Sequence, residues 1–177
     1  LLTYLAAKTS KIKLGTAVLT LPWHNPVLLA EQVATMDLLS KGRVQLGVGK
    51  GYRYNEFKGF KIDMKEANER FDESIEIMVK SWENREKWSY NGKFWSFEDI
   101  VVEPSCHQLP YPTLWMAAGN HEAIKNVAKK NANLLLDQFS PLDKVIKRVQ
   151  VYKSELNKNK LNNDTHNRIA LARALYI

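Results

Sequence analysis

IKLGTAVLTLPWHNPVLLAEQVATMDLLSKGRVQLGVG, residues 12–49, is the stretch whose reading decides the fold. Ile12 to Leu21 is almost wholly apolar and stops at Pro22. Such a run suits a strand buried on both faces, as parallel sheets require. Asn25-Pro26 then supplies a cap residue followed by proline at the first helical position. Leu29, Val33, Met36 and Leu39 or Ser40 recur at helical spacing, and Gly42 is the expected stop. From Arg43 to Gly49 the apolar residues alternate as Val44, Leu46 and Val48, which reads as a second strand. Strand, helix, strand in this order implies parallel strands joined by a right-handed crossover.

Outward from that unit the alternation continues. A glycine- and aromatic-rich loop is expected from Lys50 to about Lys65, then a helix carrying Phe71, Ile75, Met78 or Val79, and Trp82 on one stripe. WSYNGKFWSF (88–97) holds Asn91-Gly92 between aromatic runs, the signature of a hairpin with a type I′ turn. TLWMAA (113–118) is the third core strand, and Gly119-Asn120-His121 turns into a helix with Ile124, Val127 and Ala128 inward. NLLLDQF (133–139) is the fourth strand. Ser140 to Asp143 reads as a capped helix start, continued by Val145, Val149, Tyr152 and Leu156. A polar linker, 157–167, leads to a fifth strand, 168–177. Two architectures accommodate this order: an open doubly wound sheet, or an arc of a barrel. The chain opens inside an apparent helix and closes inside an apparent strand, so both ends are expected to be cut.

The composition narrows the function classes. The net charge is +7, from 26 basic and 19 acidic residues, but the basic residues are spread over outward helix faces. No arginine-rich arm or RNA-binding aromatic motif is present, so no nucleic-acid partner is expected. Neither a membrane-spanning run nor a signal peptide is visible. Cys106 is the single cysteine, which excludes an internal disulfide and fits a reducing cytoplasm. His24, His107, His121 and His166 are not spaced for a metal, so none is expected.

In either architecture ligands bind at the carboxyl ends of the strands. After the second strand comes Gly47-Val48-Gly49-Lys50-Gly51-Tyr52-Arg53, where glycines let amides approach an anion and Lys50 and Arg53 add charge. A tight turn with an incidental lysine reads equally well. After the third strand, Gly119-Asn120-His121 opens a helix whose exposed amides favour an anion, or Asn120 simply caps it. Taken together, the two turns suggest one phosphate.

The residues also resemble the bacterial luciferase-like flavin-dependent monooxygenases. The resemblance rests on Asn25-Pro26, Ala30-Glu31-Gln32, the D-x-x-S-x-G-R pattern from Asp37 to Arg43, and the loop Gly47 to Tyr52. It continues through the aromatic hairpin, Glu103-Pro104, Pro110-x-Pro112 and TLWMAAGNHEAIKNVAKKNANLLL. It implies a TIM (β/α)8 barrel of which this chain, as one domain over 1–177, supplies roughly strands three to seven with an inserted hairpin. It implies reduced FMN as cofactor, with the deazaflavin F420 in some branches, and oxidation of a small organic substrate such as an aldehyde or alkane with oxygen. A flavin reductase as partner and homodimerisation are further implications.

Carried over by position, Lys50 would contact the flavin phosphate, and Gly49, Gly51 and Tyr52 would follow the flavin edge. Gly119, Asn120 and His121 would hold the same phosphate. Ala17 and Val18 lie where the family places a non-prolyl cis peptide beneath the flavin ring. The pattern departs at Gly49, where luciferase carries a reactive cysteine, and at Lys50, commonly arginine. No catalytic base is identified, and a half barrel by itself is expected to be poorly stable or inactive. A non-catalytic flavin-binding protein or partner subunit, an F420-dependent reductase, and a free-standing α/β module are the alternative readings.

Overall fold

The structure, a computed structural model, describes residues 1–161 and 168–173. They fall into two compact units, Leu1–Pro112 and Thr113–Ile177.

The first unit opens with helix α1 (Leu2–Lys8) and two short strands, β1 (Leu14–Gly15) and β2 (Leu19–Thr20). The single strand expected over 12–21 is therefore broken. Its two pieces pair in parallel with one strand, β3 (Val44–Gly49), with Leu14 opposite Val44 and Leu19 opposite Val48. Between them the Thr16 hydroxyl takes the place of the backbone ladder: it donates to the Gly47 carbonyl at 2.6 Å and accepts from the Gly47 amide at 3.0 Å. The Ala17–Val18 peptide bond that follows is cis, as the resemblance implies. Leu21–Trp23 is a 3-10 turn.

Helix α2 (Pro26–Ser40) starts as expected, with Asn25 Oδ1 accepting from the amides of Val27 and Leu28. Such a cap contributes about 1 kcal/mol. Its inward face follows the expected stripe at Leu29, Val33 and Ser40, with Met36 only half-buried and Ser40 rather than Leu39 turned in. Leu29, Ala30, Val33, Ala34, Asp37 and Ser40 are buried, whereas Leu39 is 61% exposed. The helix is apolar nearly all round, so spacing alone leaves the face open; the small residues Ala30 and Ala34 mark the side of close approach. The turn out of α2 begins at Lys41, in the left-handed region at φ 58°, and Gly42 continues it at φ 75°.

The D-x-x-S-x-G-R pattern is a structural knot. Arg43, 8% exposed, donates through Nε to Ser40 O, through Nη1 to Thr9 Oγ1 and Ile12 O, and through Nη2 to Ala6 O and Thr9 O. All five guanidinium donors are thereby used. They bind the carboxyl end of α1 and the approach to β1 to the start of β3. Fully buried Asp37 accepts from Gln108 N and Gln108 Nε2, both at 2.7 Å, and so fastens the segment leading to Pro112.

The expected loop 50–65 contains helix α3 (Tyr54–Gly59) and a 3-10 turn at Met64–Glu66. Of its aromatics Phe57 turns inward: it is 1% exposed and meets Trp23 edge-on at 5.5 Å, while the exposed Phe60 stacks on Trp23 at 5.0 Å. Helix α4 (Ala67–Glu83) follows, with Ile75, Ile77, Met78 and Trp82 buried and Phe71 only half-buried.

The hairpin forms from β4 (Trp88–Asn91) and β5 (Ser96–Ile100), but Asn91 pairs with Ser96. The connection is thus Gly92–Trp95, four residues and not a two-residue type I′ turn. The cause lies on α4, where buried Glu73 accepts from the amides of Phe94 at 3.1 Å and Trp95 at 2.9 Å and spreads the tip. A Cβ on Gly92 would run into that carboxylate. Replacing Glu73 by Ala is expected to lower stability by about 2 kcal/mol in urea unfolding, because two amides lose a charged acceptor. A loss within experimental error would show that the tip stands without it.

The second unit alternates strictly: β6 (Thr113–Ala117), α5 (His121–Lys129), β7 (Asn133–Leu136), α6 (Leu142–Lys158) and β8 (Ile169–Leu171). The strands pair in parallel in the order β6–β7–β8. Ile124, Val127 and Ala128 face inward from α5, and Val145, Tyr152 and Leu156 from α6, with Val149 half-buried. The Tyr152 hydroxyl donates to Ala132 O at 2.7 Å, and burial pushes its pKa up to about 12. Ser140 does not cap α6, which starts after Pro141 without a side-chain cap. Part of the expected linker (162–167, with His166) and the end of the expected last strand (174–177) lie outside the described residues.

Candidate functional site

In the first unit the carboxyl ends of β2 and β3 lie side by side, with Thr20 opposite Gly49. That register brings Gly49, and with it Lys50, Gly51 and Tyr52, to the carboxyl end of β3, whereas Ala17 and Val18 precede β2 and lie further back, next to the Thr16 that bonds Gly47. Gly51 turns the chain at φ 80°, and a Cβ there would meet Thr20 Cγ2 at 2.7 Å and the Phe57 ring at 3.0 Å. Its glycine is required by conformation and packing. Lys50 is half-buried, and its Nζ donates to Asn68 Oδ1 at 2.6 Å. Among the described residues no carboxylate pairs with it. Arg53 differs: it is exposed, lies 3.8 Å from Glu56 and packs over the Tyr52 ring at 5.7 Å. Tyr52 itself is 70% exposed.

In the same unit, an open cleft of about 770 Å³ is lined by Leu14, Thr16, Leu19, His24, Gln32 and Gln45, among others. Burial lowers the His24 pKa below its ordinary value. Cys106 is buried, and burial, reinforced by Asp37, pushes its thiol up to about 12. It is not a nucleophile at neutral pH. Among the described residues no group of three His, Cys, Asp or Glu could hold a metal, and no helix is long and apolar enough to cross a membrane.

In the second unit Asn120 Oδ1 accepts from the Ala123 amide at 2.8 Å, so it caps α5. The first-turn amides of His121 and Glu122 have no carbonyl partner within the helix. Gly119 has open space around it. A Cβ at this position would find Arg148 Nη2 as its nearest neighbour, 3.8 Å away. Arg148 Nη1 is held by Asp137 Oδ2 and Ser140 Oγ, both at 2.7 Å. Burial alone would raise Asp137; the hydroxyl of Ser140, the amides of Phe139 and Ser140, and Arg148 outweigh it and hold the carboxyl at about 2.

Sequence reasoning missed Asn68 and Arg148. Asn68 sits in the first turn of α4, 18 residues beyond Lys50, and only the folded loop brings the two together. Arg148 reads as one more cation of a basic helix.

Parallel strands joined by helices define an α/β protein of the barrel kind. The sequence profile of the luciferase-like monooxygenases matches residues 1–177, and the chain belongs to that family. A monooxygenase from Streptomyces bottropensis superposes with a TM-score of 0.89 at 27% identity, covering 96% of this chain and 52% of that one. The chain is thus a partial (β/α)8 barrel in fold. The FMNH2-dependent dimethylsulfone monooxygenase of Pseudomonas putida is 31% identical over 128 residues, 71% of this chain and 35% of that protein. The F420-dependent glucose-6-phosphate dehydrogenase of Kineococcus radiotolerans is 34% identical over 122 residues, 67% and 35% of the two chains. The chain therefore spans about a third to a half of the proteins it matches.

Proposed function

We propose that the protein is a flavin-dependent oxidoreductase that uses reduced FMN and oxygen to oxidise a small organic substrate. The observation that carries this reading is Lys50: a half-buried cation at the carboxyl end of β3, held by a neutral side chain. A phosphate monoester is the group such a donor set fits. In this reading Lys50 binds the FMN phosphate, while Gly49, Gly51 and Tyr52 border the flavin and Ala17 and Val18 lie beneath its ring. In the second unit, Gly119, the cap Asn120 and His121 offer the free amides of the α5 start to an anion.

Bound FMN would supply the redox chemistry; the residues of this chain bind and orient it. Free reduced FMN consumed in this way must come from a separate flavin reductase. The protein is proposed to act in the cytoplasm and to dimerise.

F420 is the second reading, favoured by the likeness to the F420-dependent dehydrogenase. Anaerobic titration with each reduced cofactor separates them. Saturable binding of FMNH2 in the micromolar range, with weaker or no binding of reduced F420, is the expected outcome. The reverse order would replace the monooxygenase reading by an F420-dependent one, and no binding of either would remove both.

A further inference from the structure

Lys50 could have been held by a carboxylate. Asn68 lies between Glu66 and Glu69 on the first turns of α4 and its approach. Both acids are already engaged: Glu66 with Arg70 at 2.8 Å, and Glu69 with Lys93 at 2.6 Å. The side chain that reaches Lys50 is the neutral amide. A lysine ammonium is a compact charge on a flexible four-carbon stem, so an undirected lysine loses much rotamer freedom when it grips a ligand. A carboxylate would direct it but cancel its charge and repel an incoming anion. An amide oxygen directs it and leaves the charge in place. Two of the three ammonium N–H donors remain for a ligand, and the Asn68 amide nitrogen adds neutral donors beside them.

We infer that Asn68 is a positioning residue: it fixes Lys50 at the carboxyl end of β3 without neutralising it, and so sets the preference for phosphorylated over unphosphorylated flavin. This inference rests on the reading of Lys50 as a phosphate contact. Arg70 and Lys93, by keeping Glu66 and Glu69 occupied, protect that arrangement.

The test compares the affinity of reduced FMN with that of reduced riboflavin, which lacks the phosphate, by anaerobic fluorescence titration of the purified protein. Asn68→Asp keeps the shape and adds a charge that pairs with Lys50. It is expected to weaken FMN binding on the order of tenfold, as one adjacent opposite charge can do near a protein surface, with riboflavin unchanged. Asn68→Ala should weaken FMN about threefold, the value of one modest hydrogen bond, and Asn68→Gln should restore most of the preference. The wild-type preference should also fall with salt more steeply than that of the Asp variant. Equal affinities for FMN in wild type and Asn68→Asp, or equal losses for FMN and riboflavin, would overturn the inference. Lys50→Met separates the two levels. If it abolishes the FMN preference while Asn68→Asp does not, only the role of Asn68 fails; if it leaves the preference intact, the phosphate reading fails and takes this inference with it.

Discussion

Replacing Arg43 by Met is expected to lower stability by about 3 kcal/mol, the largest loss anticipated for any single side chain in the first unit. The side chain is 8% exposed and satisfies four carbonyls and one hydroxyl from Ala6, Thr9, Ile12 and Ser40. Met fills similar volume but offers no donor, so the buried Ala6 and Ser40 carbonyls lose their partner, as do the part-buried acceptors of Thr9 and Ile12. Lysine is not an adequate substitute. Its three donors on one nitrogen cannot reach acceptors spread around a planar fork, and Arg43→Lys is expected to lose about 2 kcal/mol. Chemical denaturation followed by tryptophan fluorescence measures both. An Arg43→Met protein within about 0.5 kcal/mol of wild type would show that the carbonyls find water instead.

Lys50→Met is expected to weaken reduced FMN binding by about ten- to a hundredfold while leaving riboflavin binding within about twofold, since a hydrogen bond to a charged group contributes about 1.5–3 kcal/mol. The stem of Lys50 is half-buried, and Met preserves its apolar length, so the change removes charge and little packing. Binding of the phosphorylated ligand should also lose part of its salt dependence. A variant that loses both ligands equally would place the effect in the fold of the loop.

These two expectations separate the two sorts of motif the sequence carries. D-x-x-S-x-G-R is readable as a pattern in 37–43, and the structure gives it a job in holding α1, β1 and β3 together. G-x-G-x-G leads to the residues proposed to meet the cofactor. The start of α2, the strand β3, and α5 with its inward residues were legible because their signals are local: an Asn-Pro cap, an alternating apolar run, a capped 3.6-residue stripe. What was not legible depends on partners far along the chain. The break between β1 and β2 comes from Thr16 bonding Gly47, 31 residues away. The four-residue hairpin tip follows from Glu73, more than twenty residues upstream, and an Asn-Gly pair carries no trace of it. Ser140 reads as a helix cap until Asp137 and Arg148 are seen to occupy its hydroxyl. Lys50 was found from its place in the loop, but its neutral holder was not.

Whether Lys50 grips the phosphate of a flavin is tested most directly by a crystal structure of the protein with FMN. The phosphate is expected with an oxygen about 2.7–3.0 Å from Lys50 Nζ, the Asn68 contact retained. Ordered flavin whose phosphate lies away from Lys50, with the ammonium bonded only to protein, would contradict it.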